Sequence, residues 1–231
     1  MIRVLINGIA GKMGQEVLRA VESAADIKLE AAVDLKPLQR SDFPVYQDLN
    51  QALLQERVDA VIDFTRPDAV LANIETCLQH RVPAVVGTTG LTAGELEDID
   101  KRAEGTDWGV LVAPNFAIGA VLMMRFAAEA ARFFPEAEIL EFHHQQKLDA
   151  PSGTALRTAS MIAKARTEQP EGLRIGRDVS AEARGCLADD VPIHSIRLPG
   201  YVAHQEVQFG LPGQTLTIRH DSTHRESFMP G

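Results

Sequence analysis

The chain has 231 residues, 45% hydrophobic and 24% charged, with a formal net charge of −9. That length suits one large domain or two modest ones, each able to bury a core. The acidic balance argues against a nucleic-acid binder, which needs a basic face, and no apolar run is long enough to span a membrane.

Ile2-Arg3-Val4-Leu5-Ile6 predicts a buried strand over 2–7. Gly8-Ile9-Ala10-Gly11-Lys12-Met13-Gly14 follows at once, and Val17, Leu18 and Val21 then mark a helix over 12–24. A strand, a glycine turn and a helix in that order make the setting of a dinucleotide fingerprint, here spaced GxxGxxG. Gly8 permits the tight turn, Gly11 admits a pyrophosphate to the backbone beside Lys12 and Met13, and Gly14 allows close packing of helix on strand. Asp34 ends the next apolar run, 27–33, where an acid meets an adenosine ribose hydroxyl.

Further strands are expected at 58–63, 82–86 and 109–113, with helices near 48–55, 67–80, 92–104 and 117–133. This alternation predicts a Rossmann-like parallel sheet with helices on both faces. Three polar loops follow its strands: Asp63-Phe64-Thr65-Arg66-Pro67, Gly87-Thr88-Thr89-Gly90 and Ala113-Pro114-Asn115-Phe116. Ligands of such sheets bind outside the carboxyl ends of the strands, so these loops are candidate walls of a cofactor cleft.

Beyond residue 134 the pattern changes. A strand at 138–142, a helix at 153–166, a long loop at 167–192 and strands at 193–198, 202–209 and 214–220 predict a second, α+β domain with a mixed or antiparallel sheet. Residues 141–155, Glu-Phe-His-His-Gln-Gln-Lys-Leu-Asp-Ala-Pro-Ser-Gly-Thr-Ala, open that helix. A helix N-terminus presents unpaired amides and a positive dipole end. With His143, His144 and Lys147 just upstream, the stretch reads as a pocket for a carboxylated or phosphorylated small molecule, with groups able to move a proton near neutral pH. His194, His204, His220 and His224 read as ordinary strand or loop residues, and His80 as a dipole partner at a helix end. No metal site is expected, because no His, Cys and carboxylate set has ligand spacing. Cys77 and Cys186 stand outside any CxxC pattern and suit a reducing cytoplasm as core thiols. The amino terminus also lacks a signal peptide's layout.

These motifs together resemble the dihydrodipicolinate reductase family. The resemblance rests on Gly8–Gly14, Asp63–Pro67, Gly87–Gly90, Asn115-Phe116-Ala117-Ile118-Gly119 and, without a gap, 141–155. It implies NAD(P)H-dependent reduction of 4-hydroxy-tetrahydrodipicolinate or dihydrodipicolinate to tetrahydrodipicolinate, in the diaminopimelate–lysine pathway. It implies His143 as general acid, His144 beside it in the substrate site, and Lys147 touching the substrate and assisting. It further implies Ser152, Gly153 and Thr154 holding a carboxylate, and Arg225 as a basic residue near the domain junction. Cofactor contacts fall on Gly8, Gly11, Lys12, Met13, Gly14, Asp34, Phe64, Thr65, Arg66, Gly87, Thr88, Thr89, Asn115 and Phe116.

The domains so implied are a dinucleotide-binding domain over 1–117, to which 221–231 returns, and a substrate-binding and oligomerisation domain over 118–220. A hinge closes them on the ligands, and the second domain builds a homotetramer. The family usually continues past Gly231 into a helix that returns to the nucleotide domain, so that helix is expected to be missing. The segment from Asp34 to Tyr46 is short beside many relatives. Asp34 favours NADH, whereas Lys12, Lys36 and Arg40 stand near enough to meet a 2′-phosphate, so use of both NADH and NADPH is expected. Two alternatives are another NAD(P)-dependent reductase of a small dicarboxylate, and a silent NAD(P)H-binding protein.

Overall fold

The computed structural model describes residues 1–38, 42–113, 115–168, 170 and 181–231. Arg40, Pro114 and the greater part of the expected loop between 169 and 180 lie outside the described residues. The chain divides into two compact units, Met1–Pro114 and Asn115–Gly231.

In the first unit the elements run β1 (Ile2–Asn7), α1 (Lys12–Ser23), β2 (Ile27–Val33), β3 (Val45–Tyr46), α2 (Leu49–Gln55), β4 (Ala60–Asp63), α3 (Val70–His80), β5 (Ala84–Val86), α4 (Ala93–Ala103) and β6 (Val110–Val112). Among the described residues the strands form one parallel sheet in the order β3-β2-β1-β4-β5-β6. The chain moves outward from β1 to β2, then restarts on the other side of β1 with β4. Right-handed crossovers therefore place the helices of the two halves on opposite faces, and the order reverses between β1 and β4. Coverage of both faces explains why Val4, Leu5 and Ile6 are buried in succession. The core gathers Leu5, Val33, Val61, Ile74 and Val86.

Two local departures from the sequence reading have simple causes. β3, only two residues long, carries too little pattern to announce itself. α3 begins at Val70 rather than 67, because the amides of Ala69 and Val70 both turn back to the Arg66 carbonyl, at 3.0 and 3.1 Å. α4 is introduced by a capping box in which Thr92 and Glu95 satisfy each other's backbone amides.

The second unit runs α5 (Ile118–Ala130), β7 (Glu136–His143), α6 (Gly153–Ala165), a 3-10 turn (Ala181–Arg184), β8 (Cys186–Ala188), β9 (Val191–Arg197), β10 (Ala203–Leu211), β11 (Gln214–Ser222) and a 3-10 turn (Arg225–Phe228). Its sheet is mixed, in the order β11-β10-β7-β9-β8: β7 and β9 are parallel, as a crossover through α6 requires, and the other pairs antiparallel. The expected loop at 167–192 is corrected here, since it holds β8 and the start of β9. Their hairpin turns through Asp189 and Asp190, at φ 50° and 58°. Both central residues are left-handed, as a tight hairpin needs, but Asp-Asp lacks the glycine that usually announces such a turn. One sheet face packs Ala137, Ile139, Ile193, Val207 and Phe209 against Ala127 of α5 and Ala159 and Ile162 of α6. Pleat alternation carries that face on to Glu141 and His143 at the end of β7.

Candidate active site

At the carboxyl edge of the parallel sheet, Gly8 adopts φ +87°, and a Cβ there would lie 2.6 Å from the Phe64 carbonyl oxygen. A Cβ on Gly14, inside α1, would lie 2.2 Å from the Gly8 carbonyl oxygen. Gly11 is the exposed N-cap residue of α1, with no side-chain cap and no acid in the first turn, so the helix start faces outward without a resident negative charge. Exposed Lys12 and half-buried Met13 follow it. A glycine-only cradle at the start of a helix fits the pyrophosphate of a dinucleotide. Asp34 braces this loop: one carboxylate oxygen accepts from the Ala10 amide and the other from Lys36, at 2.8 and 2.9 Å.

The neighbouring loops are tied together by Asp63, the last residue of the strand expected at 58–63 and the first of the polar loop after it. Buried at the end of β4, its Oδ2 accepts from the side-chain amides of Asn7 and Asn73, both at 2.8 Å. Its Oδ1 accepts from the Thr65 amide, the Thr65 hydroxyl and the Thr88 hydroxyl, at 3.1, 2.8 and 2.9 Å. One carboxylate thus joins the ends of β1, β4 and β5 at the topological switch point. The Phe64 ring fills the space where a side chain on Gly87 would stand, while Thr89 continues the loop and exposed Arg66 pairs with Asp68.

In the second unit, a pocket is lined by Asn115, His143, Ser152, Thr154, Gln205 and His220, among others. Ser152 caps α6 by accepting from the Ala155 amide at 3.2 Å, and Gly153 is the first helical residue. Asn115 donates to the Thr154 hydroxyl at 3.2 Å and accepts from the Ala117 amide at 2.8 Å, which fixes Phe116 beside it. His144 lies just past the end of β7, where its carbonyl accepts from the Lys147 amide. The Lys147 ammonium donates to both carboxylate oxygens of Asp149, each at 2.8 Å. Arg225 opens the last 3-10 turn, half-buried, and is not among the residues lining this pocket.

Several residues here were not singled out from sequence. Fully buried Glu141 makes close ion pairs with His143 Nδ1 and with Arg197. Burial pushes its carboxyl up most, but hydrogen bonds from His143, Arg197 and Ser195 together outweigh that and hold it at about 2. Thr158 donates to the Thr154 carbonyl, so its oxygen can only accept from Gln205 Nε2, at 2.7 Å. That orients the Gln205 amide. His220, read as an ordinary strand residue, borders the pocket and packs on Gly119, and burial lowers its pKa. His204 also contributes to the lining, although its ring pairs with Asp221 at 2.7 Å. The period-2 pattern of β10 and β11 was the available signal; the pairing register was not.

A family model for the N-terminus of dihydrodipicolinate reductase matches residues 2–116, and one for its C-terminus matches residues 119–231. The 4-hydroxy-tetrahydrodipicolinate reductases of Listeria welshimeri and Halalkalibacterium halodurans are 47% and 46% identical to the chain; each alignment covers 100% of this chain and 91% of the relative. A dipicolinate-bound dihydrodipicolinate reductase from Paenisporosarcina sp. TG-14 is 45% identical, with a TM-score of 0.85 over 100% of this chain and 91% of that one. A putative myo-inositol dehydrogenase from Sinorhizobium meliloti, at 15% identity and a TM-score of 0.67, shares the fold. The chain belongs to the dihydrodipicolinate reductase family.

Proposed function

We propose that the unit holding His143 binds the substrate of a 4-hydroxy-tetrahydrodipicolinate reductase and that the glycine-loop unit binds its cofactor. The chain is an NAD(P)H-dependent oxidoreductase of diaminopimelate and lysine biosynthesis. In balance, 4-hydroxy-tetrahydrodipicolinate, NAD(P)H and a proton give tetrahydrodipicolinate, NAD(P)⁺ and water. The observation that carries the assignment of sites is the uninterrupted 141–155 stretch, from which His143, Ser152 and Thr154 line one pocket.

Bound NAD(P)H supplies the hydride. The chain supplies orientation, charge compensation and the proton. Gly8, Gly11 and Gly14, with Lys12 and Met13, hold the pyrophosphate at the start of α1, and Asp34 meets the adenosine ribose. Phe64–Arg66 and Gly87–Thr89 flank the rest of the cofactor. In the substrate pocket the α6 start, with Ser152, Gly153 and Thr154, takes one carboxylate through backbone amides and the dipole. Lys147, whose ammonium donates to Asp149, is placed to turn to a substrate carboxylate. His144 and Arg225 contribute to binding. His143 delivers the proton as electron density builds on the ring. A homotetramer built through the second sheet, and a cytoplasmic location, complete the reading the family resemblance supports.

The test follows NADH oxidation with freshly generated 4-hydroxy-tetrahydrodipicolinate, beside His143→Ala. Turnover that falls by about a hundredfold or more in the variant is expected. NADH binding without turnover would instead indicate a silent binding protein, and turnover only with another dicarboxylate a different reductase.

A further inference from the structure

We propose that Glu141, clamped by Arg197, is a positioning residue that decides which nitrogen of His143 faces the substrate pocket. This rests on the reading of His143 as proton donor.

Residues two apart on a strand share a face, so β7 sets Glu141 directly beside His143. The contact is made through Nδ1. Arg197 stands opposite His143 on the parallel neighbour β9. Its Nη2 donates to Glu141 Oε1 at 2.7 Å and to the Asp149 carbonyl at 2.8 Å, and its Nη1 to the Ile196 carbonyl at 2.9 Å. The guanidinium therefore braces both the carboxylate behind His143 and the loop that carries Lys147.

A carboxylate with no solvent contact is a costly way to fill a core position, where an apolar side chain of similar volume commonly serves stability as well or better. Glu141 is kept ionised by its partners, so a constant negative charge faces Nδ1 across the working pH range. With Nδ1 held against that charge, the Nδ1–H tautomer is favoured and Nε2 is left to address the pocket. The imidazolium then gives its Nε2 proton to the reduced ring, and the neutral ring remains with Nδ1–H on Glu141. The ring takes its next proton from solvent. The other charged or titratable groups around His143 are Arg197 from β9, Lys147 and Asp149 from the following loop, and His204 and His220 from β10 and β11.

The experiment compares Glu141→Gln, Glu141→Asp and His143→Ala with the unaltered protein, measuring kcat, KM and dipicolinate Kd from pH 5 to 10. Glu141→Gln is expected to lower kcat at least about tenfold and to move the alkaline limb of the profile to lower pH, while KM and the dipicolinate Kd change less than about threefold. Glu141→Asp should recover part of kcat. A Glu141→Gln protein with unaltered kcat and profile overturns the proposal, as does a loss of dipicolinate binding that matches the loss of kcat. Wild-type kcat in His143→Ala would defeat the underlying reading instead, whatever Glu141 does. Should Glu141→Gln not fold, ¹⁵N spectra of the unaltered protein decide: neutral His143 protonated on Nδ1 supports the proposal, and on Nε2 overturns it.

Discussion

Gly14→Ala tests the glycine cradle, because local propensity and tertiary packing predict opposite signs. Alanine inside a helix gains about 1 kcal/mol over glycine. At Gly14, however, the new methyl would stand 2.2 Å from the Gly8 carbonyl oxygen, 2.7 Å from Ile9 Cα and 2.9 Å from the Gly8 carbonyl carbon. All three are backbone atoms, so no rotamer change relieves the contact, and α1 must move off β1 by about 1 Å. Overpacking of that kind costs about 3 kcal/mol, leaving a net loss of about 2 kcal/mol and a fall in Tm of about 4–8 °C. The Gly8 carbonyl belongs to the loop proposed to hold the pyrophosphate, so NADH affinity should fall with it. Gly94→Ala is the control: it sits in the first turn of α4, where a Cβ meets nothing within 4 Å. There the change should be neutral or stabilising by up to about 1 kcal/mol. Urea denaturation and NADH fluorescence titration of both variants measure these effects. Equal stability for the two variants, with unchanged NADH affinity in Gly14→Ala, would refute the packing argument.

Asp63→Asn replaces one acceptor oxygen by a donor beside the five donors that converge there. It is expected to cost about 3 kcal/mol in urea denaturation and to raise KM for the cofactor more than KM for the substrate. Glu141 also carries a pH signature. Its folded carboxyl lies at about 2, below the ordinary 4.5, so its contribution is fully present above pH 4.5 and is lost as pH falls toward 2. That difference corresponds to about 3 kcal/mol, and urea midpoints between pH 7 and 2.5 should show a steeper acid decline for the unaltered protein than for Glu141→Gln.

Much of this molecule is legible before any folding is considered. β1, α1 and β2 lie where the apolar runs and the glycine turn put them, because strand period, helix period and turn chemistry are properties of neighbouring residues. The α6 start with its Ser152 cap is readable for the same reason: capping acts over three residues. What escaped the sequence is what joins distant segments. Glu141 and Arg197 are 56 residues apart, as are Asn7 and Asp63, and Gln205 meets Thr158 across 47.

The chain's local chemistry thus determined its elements, its family motifs and the residues able to carry charge or protons. Only the tertiary structure decided which of them share a face. Pairing register and the crossing of helices over a sheet set those meetings, and a one-residue slip would turn every side chain of a strand to the other side. A buried carboxylate such as Glu141 becomes intelligible once its partners on other strands are in place, because burial leaves it no water to fall back on.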